Sequence, residues 1–148
     1  MNEELLSVGL AGAIIGAASI IQIVYYVFRM IANWKIFTKA GEAGWKSIIP
    51  LYNVFVLYDL VWTKTMAWVG LVLTLAYALA TVIVGEGSVL TGIILLVMTV
   101  IEWMAFHKLS KAFGHGIGFT IGLICLQPIF LLILGFGSSR YVGNPYRE

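Results

Sequence analysis

Residues 34–62 read WKIFTKAGEAGWKSIIPLYNVFVLYDLVW, and the character of this stretch decides the fold. Lys35, Lys39 and Lys46 lie inside it, Arg29 just before it and Lys64 just after, so five of the chain's nine cations gather here. Long apolar runs stand on both sides. A basic segment bracketed by tryptophans between apolar runs marks the cytoplasmic interface of a membrane protein. Ala40-Gly41-Glu42-Ala43-Gly44 interrupts helix, and Trp45 with Lys46 marks the headgroup level. Pro50 opens a new helix, a place where its missing N–H has no partner to lose. That helix, 50–62, is apolar apart from Asn53 and Asp59. It falls short of the roughly 20 residues that a crossing needs, so it is expected to lie in, or dip into, the cytoplasmic leaflet.

Working outward, residues 5–33 form an apolar run without charge before Arg29. Gly12 and Gly16, with Ala13 and Ala17 beside them, offer a small-residue seam to another helix. Residues 66–84 and 89–106 are the next two expected spans, joined by the short acidic turn Gly85-Glu86-Gly87-Ser88 and closed by His107, Lys108 and Lys111. Gly114 and Gly116 break the helix and reverse the chain. Gly118 and Gly122 then form a packing groove on a fourth span, 119–136, which Gln127-Pro128 is expected to kink. The expected fold is therefore an all-α integral membrane bundle of four transmembrane helices in one polytopic domain over 1–148. A short re-entrant or interfacial helix lies at its cytoplasmic side.

Composition agrees. Of 148 residues, 61% are hydrophobic and 11% charged, where soluble domains carry roughly 25% charged residues. The net charge of +2 is too small and dispersed for a nucleic-acid partner. Cys125 is the single cysteine, so no intramolecular disulfide forms. The acidic leader Glu3-Glu4 is not the positive start of a signal peptide, so the first apolar segment is expected to be retained. Seven cations fall in the segments assigned to the cytoplasm, namely Arg29, Lys35, Lys39, Lys46, Lys64, Lys108 and Lys111. Glu3, Glu4 and Glu86, with Arg140 and Arg147 of the tail, fall opposite. The expectation is a multi-pass protein of the cell membrane with both termini extracytoplasmic.

Ionisable groups within spans are costly and are usually paired or used. Glu102 heads the functional candidates on that ground, against the plainer reading of a near-interface carboxylate paired with Arg29, Lys108 or a headgroup. Asn53 and Asp59 could line a polar cleft, although Asp59 lies close enough to Lys64 for an ordinary ion pair. His107 and His115 with Glu102 match no compact metal-ligand spacing, and a headgroup-facing role beside Lys108 and Lys111 accounts for them better. The alternating glycines 114, 116 and 118 follow no strand and lack a dinucleotide spacing, so they are read as packing positions and not as a ligand loop. Gln127 is the remaining polar candidate. No cofactor and no metal are expected, and no nucleophile–base set can be assembled.

The segment KAGEAGWKSIIPLYN, followed by LSKAFGHGIGFTIGLICLQPIFLLILGFGSSRYVG at 109–143, resembles an uncharacterised prokaryotic membrane family, domain of unknown function 5684. The first block matches at Lys39, Ala40, Gly41, Gly44, Trp45, Ile49, Pro50, Tyr52 and Asn53. The second matches at Phe113, Gly114, Gly116, Gly118, Phe119, Gly122, Gly135, Phe136, Gly137 and Tyr141, among others. His115 stands where the family often has Lys, and Gln127-Pro128 where Pro-Phe is common. Some members are labelled signal peptidase I, which implies an export setting. The Ser–Lys chemistry of those peptidases needs a sizeable extracytoplasmic domain that the tail from Ser138 leaves no room for. The expected function is thus a non-catalytic multi-pass membrane protein, embedded in lipid and binding another membrane protein, in export or envelope biogenesis, or its own copy. The alternative is a small oligomeric channel or transporter with a polar path lined by Gln22, Asp59, Glu102 and Gln127.

Overall fold

Backbone polar groups find no water inside a bilayer, so an apolar chain there satisfies them within helices. The computed structural model describes residues 2–144 and 146, and over these it is helical with no strand. The helices are α1 Asn2–Lys39, α2 Pro50–Val61, α3 Lys64–Val84, α4 Val89–Ala112, α5 Ile117–Cys125 and α6 Gln127–Phe136. A 3₁₀ turn, Gly44–Ser47, precedes α2. Three of these, α1, α3 and α4, are long and apolar enough to cross a membrane.

The helix ends follow from local chemistry. Gly41, at φ +82°, closes α1. The Glu42 N–H donates to the Phe37 carbonyl at 2.8 Å and the Gly41 N–H to that of Thr38 at 3.2 Å, the paired bonds of a Schellman end. Pro50 begins α2 as expected. The Ser88 hydroxyl caps α4 by accepting from the Thr91 N–H at 3.2 Å. Both α1 and α4 continue past their expected ends at 33 and 106, and cations there find partners within the chain, Lys39 on the Leu134 and Gly137 carbonyls and Lys108 over the Trp62 and Tyr146 rings.

The expected fourth span, 119–136, is not one helix. α5 stops at Cys125, Leu126 leaves helical geometry at φ −131° and ψ 50°, and α6 begins at Gln127. The break is a reversal, well beyond a kink. The Phe119 and Phe130 rings are 5.1 Å apart, whereas a continuous helix would separate those residues by about 16 Å along its axis. α5 returns along α4, with His107 Nδ1 3.2 Å from Thr120 Oγ1 and the Ser110 hydroxyl donating to the Gly116 carbonyl at 2.9 Å. α6 then runs parallel to the second half of α1. Tyr25 meets Gln127 at its start, and the Lys39 ammonium donates to the Leu134 and Gly137 carbonyls at 2.7 Å at its end.

The tail consequently sits beside the cationic end of α4, which corrects its expected placement at the opposite end. The Val142 N–H donates to the Ala112 carbonyl at 2.7 Å, and the Tyr141 hydroxyl to that of Leu60 at 2.6 Å. Asn144 donates to the carbonyls of Asp59 at 3.0 Å and Trp62 at 2.7 Å. Arg147, also expected at the far end, lies outside the described residues. The core gathers at this basic end too: Ile36, Phe37, Val61, Phe106, Leu109, Leu123, Leu131 and Leu134 are buried together.

Of the expected small-residue seams, Gly12/Gly16 is unpartnered among the described residues, and in Gly118/Gly122 only Gly122 is packed, under the Phe130 ring. A side chain added at Gly12, Gly16, Gly116 or Gly118 would meet nothing within 4 Å. The close approach falls at Gly135, where a Cβ would lie 3.0 Å from the Ala32 carbonyl oxygen and 3.1 Å from Lys35 Cβ, at the crossing of α6 with α1. Gly135→Leu should therefore destabilise the protein by about 1–3 kcal/mol, the usual cost of overpacking. Gly118→Leu should stay within about 0.5 kcal/mol of the parent. Thermal unfolding of both variants in detergent checks this, and equal melting temperatures would contradict it.

Candidate functional site

Occupied by α6 and the 3₁₀ turn on one side and α2 on another, α1 makes no close contact with α3 or α4 among the described residues. Between α1 and the α3–α4 pair a cavity of about 490 Å³ opens. Gln22, Tyr25, Tyr26, Arg29 and Met30 of α1 form one wall. Asn53, Phe55 and Tyr58 of α2, Ala67, Leu71 and Thr74 of α3, and Leu95, Met98, Glu102 and Phe106 of α4 form the rest. Most of this surface is apolar.

Most polar groups on the walls are already engaged. Tyr25 donates to Gln127 Oε1 at 2.6 Å and Tyr26 to the Ile48 carbonyl at 3.1 Å. Thr74 and Thr99 donate to the carbonyls of Gly70 and Leu95, both at 2.8 Å. Asn53 accepts from Asn33 Nδ2 at 2.9 Å and donates to the Ser47 carbonyl at 3.0 Å. Four side chains face the cavity with no hydrogen bond or ion pair to another described residue: Gln22, Arg29, Tyr58 and Glu102. Both charges act on the Tyr58 phenol. Burial raises its pKa above the usual tyrosine value, Glu102 pushes the same way, and Arg29 opposes.

Neither Arg29 nor Lys108 neutralises Glu102. The described ion pairs are Lys46–Glu42 and Lys64–Asp59, the latter at 3.6 Å. Lys108 is buried, its ammonium 4.4 Å from the Trp62 ring centre and 3.2 Å from that of Tyr146, a cation–π arrangement. The hydrogen bond with that ammonium and its charge hold the Tyr146 phenol below the usual tyrosine value. The Glu42 carboxylate, through its hydrogen bond, raises Lys46.

The other candidates have separate places. Asp59 pairs with Lys64 and does not line the cavity. Gln127 sits at the α5–α6 reversal holding Tyr25, so the path expected through Gln22, Asp59, Glu102 and Gln127 reaches this cavity only at Gln22 and Glu102. His107 ties α4 to α5 through Thr120, and His115 stacks on Phe119 at 4.2 Å. Among the described residues no three His, Cys, Asp or Glu side chains gather to hold a metal ion. Arg29 is the residue that sequence reasoning undervalued, having been grouped with the interfacial cations. The signal was present, since Arg29 is the only charge in the run 5–33.

The first family block has a structural account. Gly44 lies against the Trp34 indole, which leaves no room for a Cβ. Asn53 ties α2 both to α1 and to the 3₁₀ turn. A family model described as "Family of unknown function (DUF5684)" matches residues 45–144, from Trp45 within the 3₁₀ turn through α2 to α6 and the tail up to Asn144. No curated protein and no solved structure matches the chain. Asn53→Leu should cost about 1–3 kcal/mol by stranding the buried Asn33 amide and the Ser47 carbonyl. Detergent melting should fall to the same extent with and without added lipid. A loss seen only when lipid is present would instead make Asn53 a ligand contact.

Proposed function

This chain belongs to that family of unknown function, DUF5684. From that premise we propose that it is a non-catalytic, multi-pass membrane protein whose cleft takes up an amphiphile sideways from the bilayer. The observation that carries the reading is the cavity itself, apolar along α3 and α4 and bearing uncommitted charged and polar side chains from α1, α2 and α4. At about 490 Å³ it matches small-molecule sites, which run to roughly 300–1,000 Å³. The charged and amide side chains without a partner among the described residues, Arg29, Glu102 and Gln22, favour the head of an amphiphile over an apolar spanning helix of another protein.

The membrane arrangement we propose has three spans, α1, α3 and α4. The α5–α6 hairpin enters and returns on one side, and α2 lies in the same leaflet. Charge supports it. Lys35, Lys39, Lys46, Lys64, Lys108, Lys111 and Arg140 then fall at one end, with Arg29 nearest them in α1. Glu3, Glu4 and Glu86 fall at the other. The positive end is cytoplasmic by the positive-inside rule. The N-terminus is outside, and the tail inside.

Two experiments test this. In a Cys125→Ser background, Ser138→Cys and Lys46→Cys should react with an impermeant thiol reagent only from the cytoplasmic face, and Glu86→Cys only from outside. Labelling of Ser138→Cys from outside would restore a fourth span. Gly70 lines the cavity with nothing within 4 Å of an added Cβ, so Gly70→Phe should place its ring in the cleft with the backbone unstrained. Native mass spectrometry should then show about one phospholipid fewer retained per chain. Unchanged lipid retention, or a co-purifying membrane protein lost with this substitution, would overturn the amphiphile reading.

A further inference from the structure

An amphiphile in this cleft has a tail, placed against the apolar walls of α3 and α4, and a head whose chemistry the reading above leaves open. We propose that the head is zwitterionic, its anionic group held by Arg29 and its cationic group by Glu102. The inference rests on the cleft being an amphiphile site and narrows which amphiphile it takes.

The argument is one of elimination around a single space. Tyr25, Tyr26, Asn53, Thr74 and Thr99 all reach the cavity, and each has its polar group committed to another part of the chain. Those without a hydrogen-bond or ion-pair partner among the described residues are a guanidinium, a carboxylate, an amide and a phenol, on Arg29, Glu102, Gln22 and Tyr58. Arg29 is half-buried and Glu102 exposed within the chain. Arg29 and Glu102 share a cavity yet are not within ion-pair distance. An isolated charge facing hydrocarbon is costly, and Coulomb attraction strengthens as the surroundings become less polar.

A ligand carrying one sign of charge would relieve one residue and worsen the other. A purely anionic head would meet Arg29 and be repelled by Glu102, and a purely cationic head would meet the converse. A phosphate joined to an ammonium relieves both. The planar guanidinium can take two phosphate oxygens at once, while Glu102 accepts N–H donors from the ammonium. Gln22 and Tyr58 can serve either half, since an amide both donates and accepts and a phenol does likewise. Phosphatidylethanolamine has this chemistry, and phosphatidylglycerol, of the same size and tails, lacks the cation.

The test is headgroup competition on the full chain. The protein is purified in an uncharged detergent and exposed to equal amounts of phosphatidylethanolamine and phosphatidylglycerol. Retained lipid is counted by native mass spectrometry, with Gly70→Phe setting the background of lipid bound outside the cleft. Above that background the unaltered chain should favour phosphatidylethanolamine about tenfold, a difference of about 1.4 kcal/mol. Glu102→Gln should bring the ratio close to one by removing both the ammonium's partner and the repulsion of the anionic lipid. Arg29→Gln should lower retention of both lipids together. Equal retention of the two lipids by the unaltered chain, above the Gly70→Phe background, would overturn the zwitterion and leave the amphiphile cleft standing. Retention of neither above background would overturn the cleft reading itself. The comparison on the unaltered chain needs no variant in the charged pair to fold.

Discussion

Pro128 has no N–H to give and its ring collides with the preceding helical turn, so an unbroken helix cannot pass from α5 into α6 at ordinary cost. The chain bonds the Leu126 N–H back to Gly122 at 2.8 Å, then starts afresh with the Phe130 N–H on the Leu126 carbonyl at 3.1 Å. A proline alone bends a helix. Here the bend becomes a reversal because both sides of it find packing. Phe130 settles over Gly122 and against Phe119, and Gln127 is held by Tyr25. Much else follows from this. α6 lies along α1, the tail arrives beside Ala112 and Leu60, and the face of α1 against α6 is no longer open to another helix.

Most of the frame was legible in the sequence because it depends on local chemistry. Gly41 as a helix end, Pro50 as a helix start and the turn at residues 85–88 between α3 and α4 are each decided within a few residues. Direction was not legible. Hydropathy reports the medium in which residues 119–136 sit and is the same for a helix that crosses and for a hairpin that returns. The reversal is decided by contacts far apart in the chain, such as Tyr25 with Gln127 and Lys39 with Gly137. Arg140, expected on the acidic side together with Arg147, lies in the tail that the reversal carries beside Ala112 and Leu60.

The candidate site was half legible for a related reason. Glu102 and Gln22 stood out as polar groups in apolar runs, and both face the cavity. Asp59 and Gln127 stood out equally and turn instead to Lys64 and Tyr25. Composition gives polarity but not the neighbour that consumes it. Asn53 shows the same ambiguity within one residue. It borders the cavity, yet its amide is spent on Asn33 and Ser47 in a buried polar knot. In such surroundings an unpaired amide is costly, so the knot fixes where α2 begins relative to α1.

The cleft would be hard to understand in water. Apolar walls on α1, α3 and α4 would be driven together by the exclusion of solvent, and residues 5–23 would not stay exposed on every side of a helix. Within a bilayer that force vanishes, because lipid tails are as apolar as the walls, and helices associate only where close packing or hydrogen bonds reward it. At the basic end those rewards are present: Gly135 against Ala32, Asn33 with Asn53, and the tail on the carbonyls of α2. Toward the acidic end α1 has no comparable partner among the described residues. The two arms are therefore joined where the polar and small-residue contacts are, and parted where the walls are merely greasy. Lipid can fill such a gap at little cost. The charged groups beside it, Arg29 and Glu102, are what lipid tails cannot satisfy.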